Sequence, residues 1–64
     1  MGWWIELSEE NGPVTISVGH VQHFTASTPE HTPWAQTVIT FDDDEYIYVR
    51  ETYEEVRRRI GLLR

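Results

Sequence analysis

Thr37-Val38-Ile39-Thr40-Phe41-Asp42-Asp43-Asp44-Glu45-Tyr46-Ile47-Tyr48-Val49-Arg50-Glu51-Thr52-Tyr53-Glu54-Glu55-Val56 carries two strands and the start of a helix in twenty consecutive residues. It alternates apolar and polar side chains, breaks at three aspartates, and alternates again. That is the pattern of two strands joined by a polar turn. Ile39 and Phe41 fall on the same side as Ile47 and Val49, which predicts a core face. Val38, Thr40, Tyr46 and Tyr48 take the opposite face. At Thr52 the period changes. Thr52-Tyr53-Glu54-Glu55 fits a capping box, in which the threonine hydroxyl takes the Glu55 amide and the Glu55 carboxylate reaches back. Tyr53, Val56, Ile60 and Leu63 then recur at three- and four-residue spacing, an apolar stripe for a helix to lay on a sheet.

Working outward toward the N-terminus, Trp3-Trp4-Ile5-Glu6-Leu7 and Val14-Thr15-Ile16-Ser17-Val18 alternate on either side of a turn rich in Glu, Asn and Gly. Trp3, Ile5 and Leu7 are expected on one face of the first strand. Val14, Ile16 and Val18 are expected inward on the second, and the pair reads as a hairpin. Residues 20–27 read as a third short strand or irregular edge anchored by Val21 and Phe24. The segment from Ala26 to Gln36 turns to Ser, Thr, Pro, Glu and His and predicts a loop. Loops of that length in so small a domain are commonly functional or mobile. The expected fold is one α+β domain over residues 1–64: a twisted antiparallel sheet of four to five strands with one C-terminal helix packed on one face.

The second half of the chain also carries a resemblance. Thr37 to Phe41 and Val49-Arg50-Glu51-Thr52-Tyr53-Glu54-Glu55-Val56 resemble the "TVITF"-like strand and the "V-x-E-[ST]-x-E-E-V" helix entry of the small flagellar FlbD/SwrD-type proteins. The likeness extends over most of the chain and implies the same strands-then-helix fold. Similar short proteins of phage and bacterial genomes share the pattern.

Composition narrows the function classes. Sixty-four residues leave a thin core, and small folds usually add a disulfide, a metal or a partner chain. With no cysteine, disulfides, zinc–thiolate sites and thiol catalysis are excluded together. A second copy of the chain is then the cheapest staple. Eleven carboxylates against five arginines and no lysine give a net charge of −6, a poor starting point for binding nucleic acid or anionic membranes. No apolar run approaches the length of a membrane span, and no signal peptide precedes the first strand, so a cytoplasmic setting is expected.

The sequence holds few groupings of reactive side chains. His20 and His23 sit three apart, which on a strand turns them to opposite faces, and no third ligand lies nearby. Asp42-Asp43-Asp44-Glu45 lacks the twelve-residue spacing and central glycine of a calcium loop. No nucleophile elbow, phosphate loop or histidine metal motif is present, so no catalytic residue, metal or cofactor is assigned, and the chain does not read as an enzyme.

The aromatic residues carry the functional reading. Trp4, Tyr46 and Tyr48 fall on the outer sheet face, Val38 beside them, and Trp34 comes from the loop. Tryptophan and tyrosine concentrate at interfaces. The leading expectation is a non-enzymatic oligomerisation or protein-interaction module using that face and the 26–36 loop, with a homo-oligomer ahead of another protein as partner. The alternatives are an oligomer that holds a small anionic ligand such as a nucleotide, through Arg50, Arg57 and Arg58, and an acidic inhibitor that mimics nucleic acid. The helical arginines are expected to be drawn toward Glu54 and Glu55 at i,i+4 spacing.

Overall fold

A computed structural model describes residues 3–28, 30 and 32–63. Five strands and one helix follow the chain: β1 (Trp4–Glu9), β2 (Gly12–Ser17), a 3₁₀ turn over Val18–His20, β3 (Val21–Ala26), β4 (Thr37–Phe41), β5 (Tyr46–Val49) and α1 (Tyr53–Gly61). The class is α+β, all strand pairs are antiparallel, and the helix is C-terminal. No helix among the described residues is long and apolar enough to cross a membrane.

The strands form two sheets rather than one: β1 with β2, and β3-β4-β5 in that order. This departs from the single sheet expected, and the reason lies along the outer edge of β1. Only one backbone bond joins it to the end of β5, from the Arg50 amide to the Ser8 carbonyl at 2.8 Å. Beyond that bond the chain turns into the helix, and side chains complete what a neighbouring strand would have supplied. Glu51 Oε1 accepts from the Ser8 amide at 2.9 Å, and Arg59 Nη1 donates to the Glu6 carbonyl at 2.8 Å. Arg50 donates from Nε to the Glu9 carbonyl at 3.3 Å and from Nη2 to the Glu10 carbonyl at 2.8 Å. Backbone groups next to a core must find partners, and here carboxylate and guanidinium groups provide them. The two sheets are therefore joined by polar side chains where a continuous ladder would have run.

Between the sheets lies the core: Ile5 and Leu7 of β1, Ile16 of β2, Val18, Ile39 of β4, Val49 of β5, and Val56 and Ile60 of α1. Val14, Val21, Phe24, Phe41, Ile47 and Leu63 pack around it, partly buried. The alternation in β1, β2, β4 and β5 thus points the expected side chains inward, and the Val56–Ile60 stripe closes the open end. Thr37 is fully buried and donates its hydroxyl to the Glu51 carbonyl at 2.7 Å.

Three local expectations change. Trp3 precedes the first strand and is 48% exposed, because its carbonyl accepts from Val18 at the start of the 3₁₀ turn and its ring rests at the rim beside Val21 and Leu63. Tyr53, at the first turn of α1, is 39% exposed at the rim of the core and packs on Phe24, with ring centroids 5.2 Å apart. Thr52 caps the helix by accepting from the Glu55 amide at 3.1 Å, as expected, but the Glu55 carboxylate does not reach back. Arg58 and Arg59 hold it instead, Arg58 through both oxygens and Arg59 Nε at 2.6 Å.

The two hairpin turns obtain their curvature differently. In the first, the positive φ falls on Gly12 (154°). In the second, Phe41 and Glu45 close a three-residue loop whose last member, Asp44, adopts φ 69°. A type I turn followed by a left-handed residue is a favoured three-residue connection, and aspartate tolerates that conformation better than most residues. The Asp43 carboxylate fixes it by accepting from the Glu45 amide at 3.0 Å.

Candidate functional site

Antiparallel register sets the outer face of the three-stranded sheet as two cross-strand rows. Thr25, Val38 and Tyr48 form one, and His23, Thr40 and Tyr46 the other. Residues two apart on a strand share a face, so Tyr46 and Tyr48 stand side by side. Their rings meet edge to face, centroids 5.8 Å apart, an arrangement aromatic pairs prefer. Tyr46 is 59% exposed, while Tyr48 and Val38 are half-buried against each other across the strands. Neither α1 nor the β1–β2 sheet covers this face, since both pack on the other side through the core.

Trp34 joins the tyrosines. The loop closes at its base where the Ser27 amide donates to the Gln36 carbonyl at 2.9 Å, and it turns so that the Ala35 amide donates to Thr32 at 3.0 Å. Ala35 is buried beneath it. This places the Trp34 ring against the Arg50 guanidinium, whose central carbon lies 5.3 Å from the ring centroid. Arg50 in turn grips the β1–β2 turn through the Glu9 and Glu10 carbonyls. Trp34, Tyr46, Ile47, Tyr48 and the turn residues 9–13 thereby enclose a groove of about 510 Å³.

The five expected interface residues are thus unequally placed. Trp34, Tyr46 and Tyr48 come together in one groove, and Val38 adjoins Tyr48 on the sheet. Trp4 belongs to the other sheet, where it pairs with Ser17, and is 56% exposed away from this groove. Of the 26–36 loop, residues 29 and 31 lie outside the described residues. The three arginines singled out for an anionic ligand are not gathered in one pocket. Arg50 is committed to two carbonyls and to Trp34. Arg58 pairs with Glu55 at i,i+3 rather than with Glu54, and Arg57 is exposed on the helix. This pairing holds the Glu55 carboxyl well below its ordinary value, at about 2, chiefly through the hydrogen bond from Arg58 and then that from Arg59; the Arg58 guanidinium is raised in return.

Two participants in the groove have no signature in the sequence. The β1–β2 turn is one wall of the groove, and Arg50 is the strut that holds it there; a separation of some 40 residues left no local signal of either. A second groove of about 550 Å³ runs along β2, walled by residues 14–17 on one side and by Phe41, Asp42, Asp43, Glu45 and Ile47 on the other. At its rim His20 Nδ1 lies 3.2 Å from Asp42 Oδ2. Among the described residues no three His, Cys, Asp or Glu side chains are grouped to share a metal ion. No family model, curated protein or solved structure matches the chain.

Proposed function

We propose that the chain is a non-enzymatic protein-interaction module that self-associates through the outer face of β3-β4-β5, with Trp34 at the margin of the contact. The observation that carries this reading is the Tyr46–Tyr48 pair. Two edge-to-face tyrosines, one of them 59% exposed, sit beside Val38 on a face that neither α1 nor the β1–β2 sheet covers. Tyrosine offers a large contact area at small entropic cost, and fixed aromatic rings are the usual energetic centre of protein contacts. A chain this short, with nine buried apolar side chains among the described residues and no cysteine for a disulfide, also gains stability from a second copy. The acidic, cysteine-free sequence fits a cytoplasmic setting for such a module.

The same geometry disfavours a small anionic ligand. An anion in the Trp34 groove would meet Glu9 and Glu10 in its wall, and Arg50 already directs two of its five N–H donors at their carbonyls. Native mass spectrometry of the wild type and of Tyr46→Ala/Tyr48→Ala tests the proposal. The expected result is a multimer for the wild type and a smaller species for the variant, with the circular dichroism spectrum retained. An unchanged mass in a folded variant rejects this face as the contact.

A further inference from the structure

In an antiparallel ladder the backbone groups of successive residues point alternately toward and away from the partner strand. Phe41 and Glu45 close the β4–β5 hairpin with a backbone bond, so Glu45, Ile47 and Val49 face β4. Tyr46, Tyr48 and Arg50 therefore turn their amides and carbonyls outward. The Arg50 amide finds Ser8. Among the described residues no strand pairs with β5 on that side at Tyr46 or Tyr48, because β5 ends its sheet. A matching argument applies to β2. Ser8 bonds outward to Arg50 and Glu51, which makes Ser8–Pro13 a non-bonded pair and turns Thr15 and Ser17 away from β1.

The two grooves lie along these unpaired edges. Each is walled by consecutive residues of a strand, 46–48 in one and 14–17 in the other. Consecutive residues point to opposite faces, so a groove walled by all of them follows the strand's edge. The grooves share Ile47, and Pro13 of the first is followed in the chain by Val14 of the second. The two grooves thus adjoin at Ile47, between β5 and the β1–β2 hairpin, and Val14, Phe41 and Ile47 are the partly exposed apolar residues of this opening. Glu9, Glu10, Asp42, Asp43 and Glu45 contribute the carboxylates of its walls. Arg50, the cation nearest the first groove, is already engaged.

We propose that this opening binds an extended peptide segment of another protein, in which apolar residues alternate with basic ones, by strand addition to the free edge of β5. Main-chain bonds to Tyr46 and Tyr48 would align the segment, apolar side chains would seat on the partly buried Val14, Phe41 and Ile47, and basic ones would meet the carboxylates. Strand addition draws affinity from main-chain bonds and specificity from pockets for alternate side chains. The β5 edge is favoured over that of β2 because Pro13 has no amide to offer on the latter. A second copy of the chain does not fit the opening: its arginines are Arg50 and four from position 57 onward, three of them consecutive, and no segment alternates apolar with basic residues. The inference uses the edge of β5 and does not require the outer face to self-associate.

The test is amide hydrogen exchange by nuclear magnetic resonance on the full chain, with a blocked seven-residue peptide of alternating arginine and valine as probe. Two control peptides replace all arginines by glutamate, or the central valine by proline. Saturable binding of the first peptide is expected, with exchange at the Tyr46 and Tyr48 amides slowed at least about tenfold, weakening as salt is added. The controls should bind at least about tenfold more weakly, because one is repelled and the other lacks a continuous edge. Glu10→Lys/Glu45→Lys, which changes exposed carboxylates whose side chains bond nothing else among the described residues, should reduce affinity at least about fivefold. No protection at Tyr46 and Tyr48, protection at Thr15 and Ser17 in their place, or equal binding of the proline peptide overturns the proposal. Sedimentation of the same samples without peptide reports self-association separately, so a monomer that binds the probe rejects only the oligomer reading.

Discussion

Glu51 is one of three side chains that join the two sheets, with Arg50 and Arg59, and its replacement gives the sharpest structural prediction. Its side chain is only 12% exposed. Oε1 accepts from the Ser8 amide at 2.9 Å, and Oε2 lies 3.6 Å from Arg59 Nη1. In Glu51→Ala the part-buried Ser8 amide loses its partner, at a cost of about 1–3 kcal/mol. The Arg59 contact, long and about one-third exposed on the arginine side, adds less than about 1 kcal/mol. The expected loss is therefore about 2–3 kcal/mol. A domain of this length has a total stability on the order of 3–10 kcal/mol, so the change should lower the urea midpoint conspicuously. Glu51→Gln keeps an acceptor for Ser8 and gives up only the charge, and it should cost less than about 1 kcal/mol. Urea denaturation at one fixed protein concentration measures both, since association would otherwise shift the midpoint. If the glutamine variant is as unstable as the alanine variant, or if alanine costs under about 0.5 kcal/mol, the backbone bond to Ser8 is not what holds the sheets together.

Further outcomes follow from the caps and turns. Thr52→Ala removes the acceptor for the Glu55 amide and should cost about 1 kcal/mol in the same denaturation assay. Glu55, with its pKa depressed to about 2 by Arg58 and Arg59, favours the folded state most when ionised in both states. Its contribution is complete above the ordinary value of 4.5 and is lost as pH falls toward 2; Glu55→Gln should flatten the stability–pH profile in that window. Asp44→Gly should leave stability within about 0.5 kcal/mol of wild type, whereas Asp44→Val should lose about 1–2 kcal/mol by forcing a β-branched residue to φ 69°; thermal melts compare them.

Much of this architecture is legible in the sequence because it is local. Alternation of period two in Ile5/Leu7, Ile39/Phe41 and Ile47/Val49, followed by the Val56–Ile60 spacing, states which side chains go inward, and the structure follows it. The Thr52 cap is read from four consecutive residues. The parting of the sheets is not legible, because it depends on Glu51 meeting Ser8 and Arg59 meeting Glu6, across 43 and 53 residues. Arg50 and Arg59 read as surface cations until the carbonyls of β1 are known to lie within their reach. The candidate site divides along the same line. The Tyr46–Tyr48 pairing and its Val38 neighbour follow from strand period, and Trp34 stands out by its chemistry alone. Its seat over Arg50, the turn wall at residues 9–13 and the free edge of β5 follow only from the assembled topology. Alternation groups Trp4 with the tyrosines, but it assigns a residue to a face and not to one of two sheets.

The most direct test of the central claim is sedimentation equilibrium of the unmodified wild-type chain over a series of concentrations. A mass above that of one chain, converging on an integral multiple as concentration rises, is the predicted result. A mass of one chain at every concentration would contradict self-association through the Tyr46–Tyr48 face.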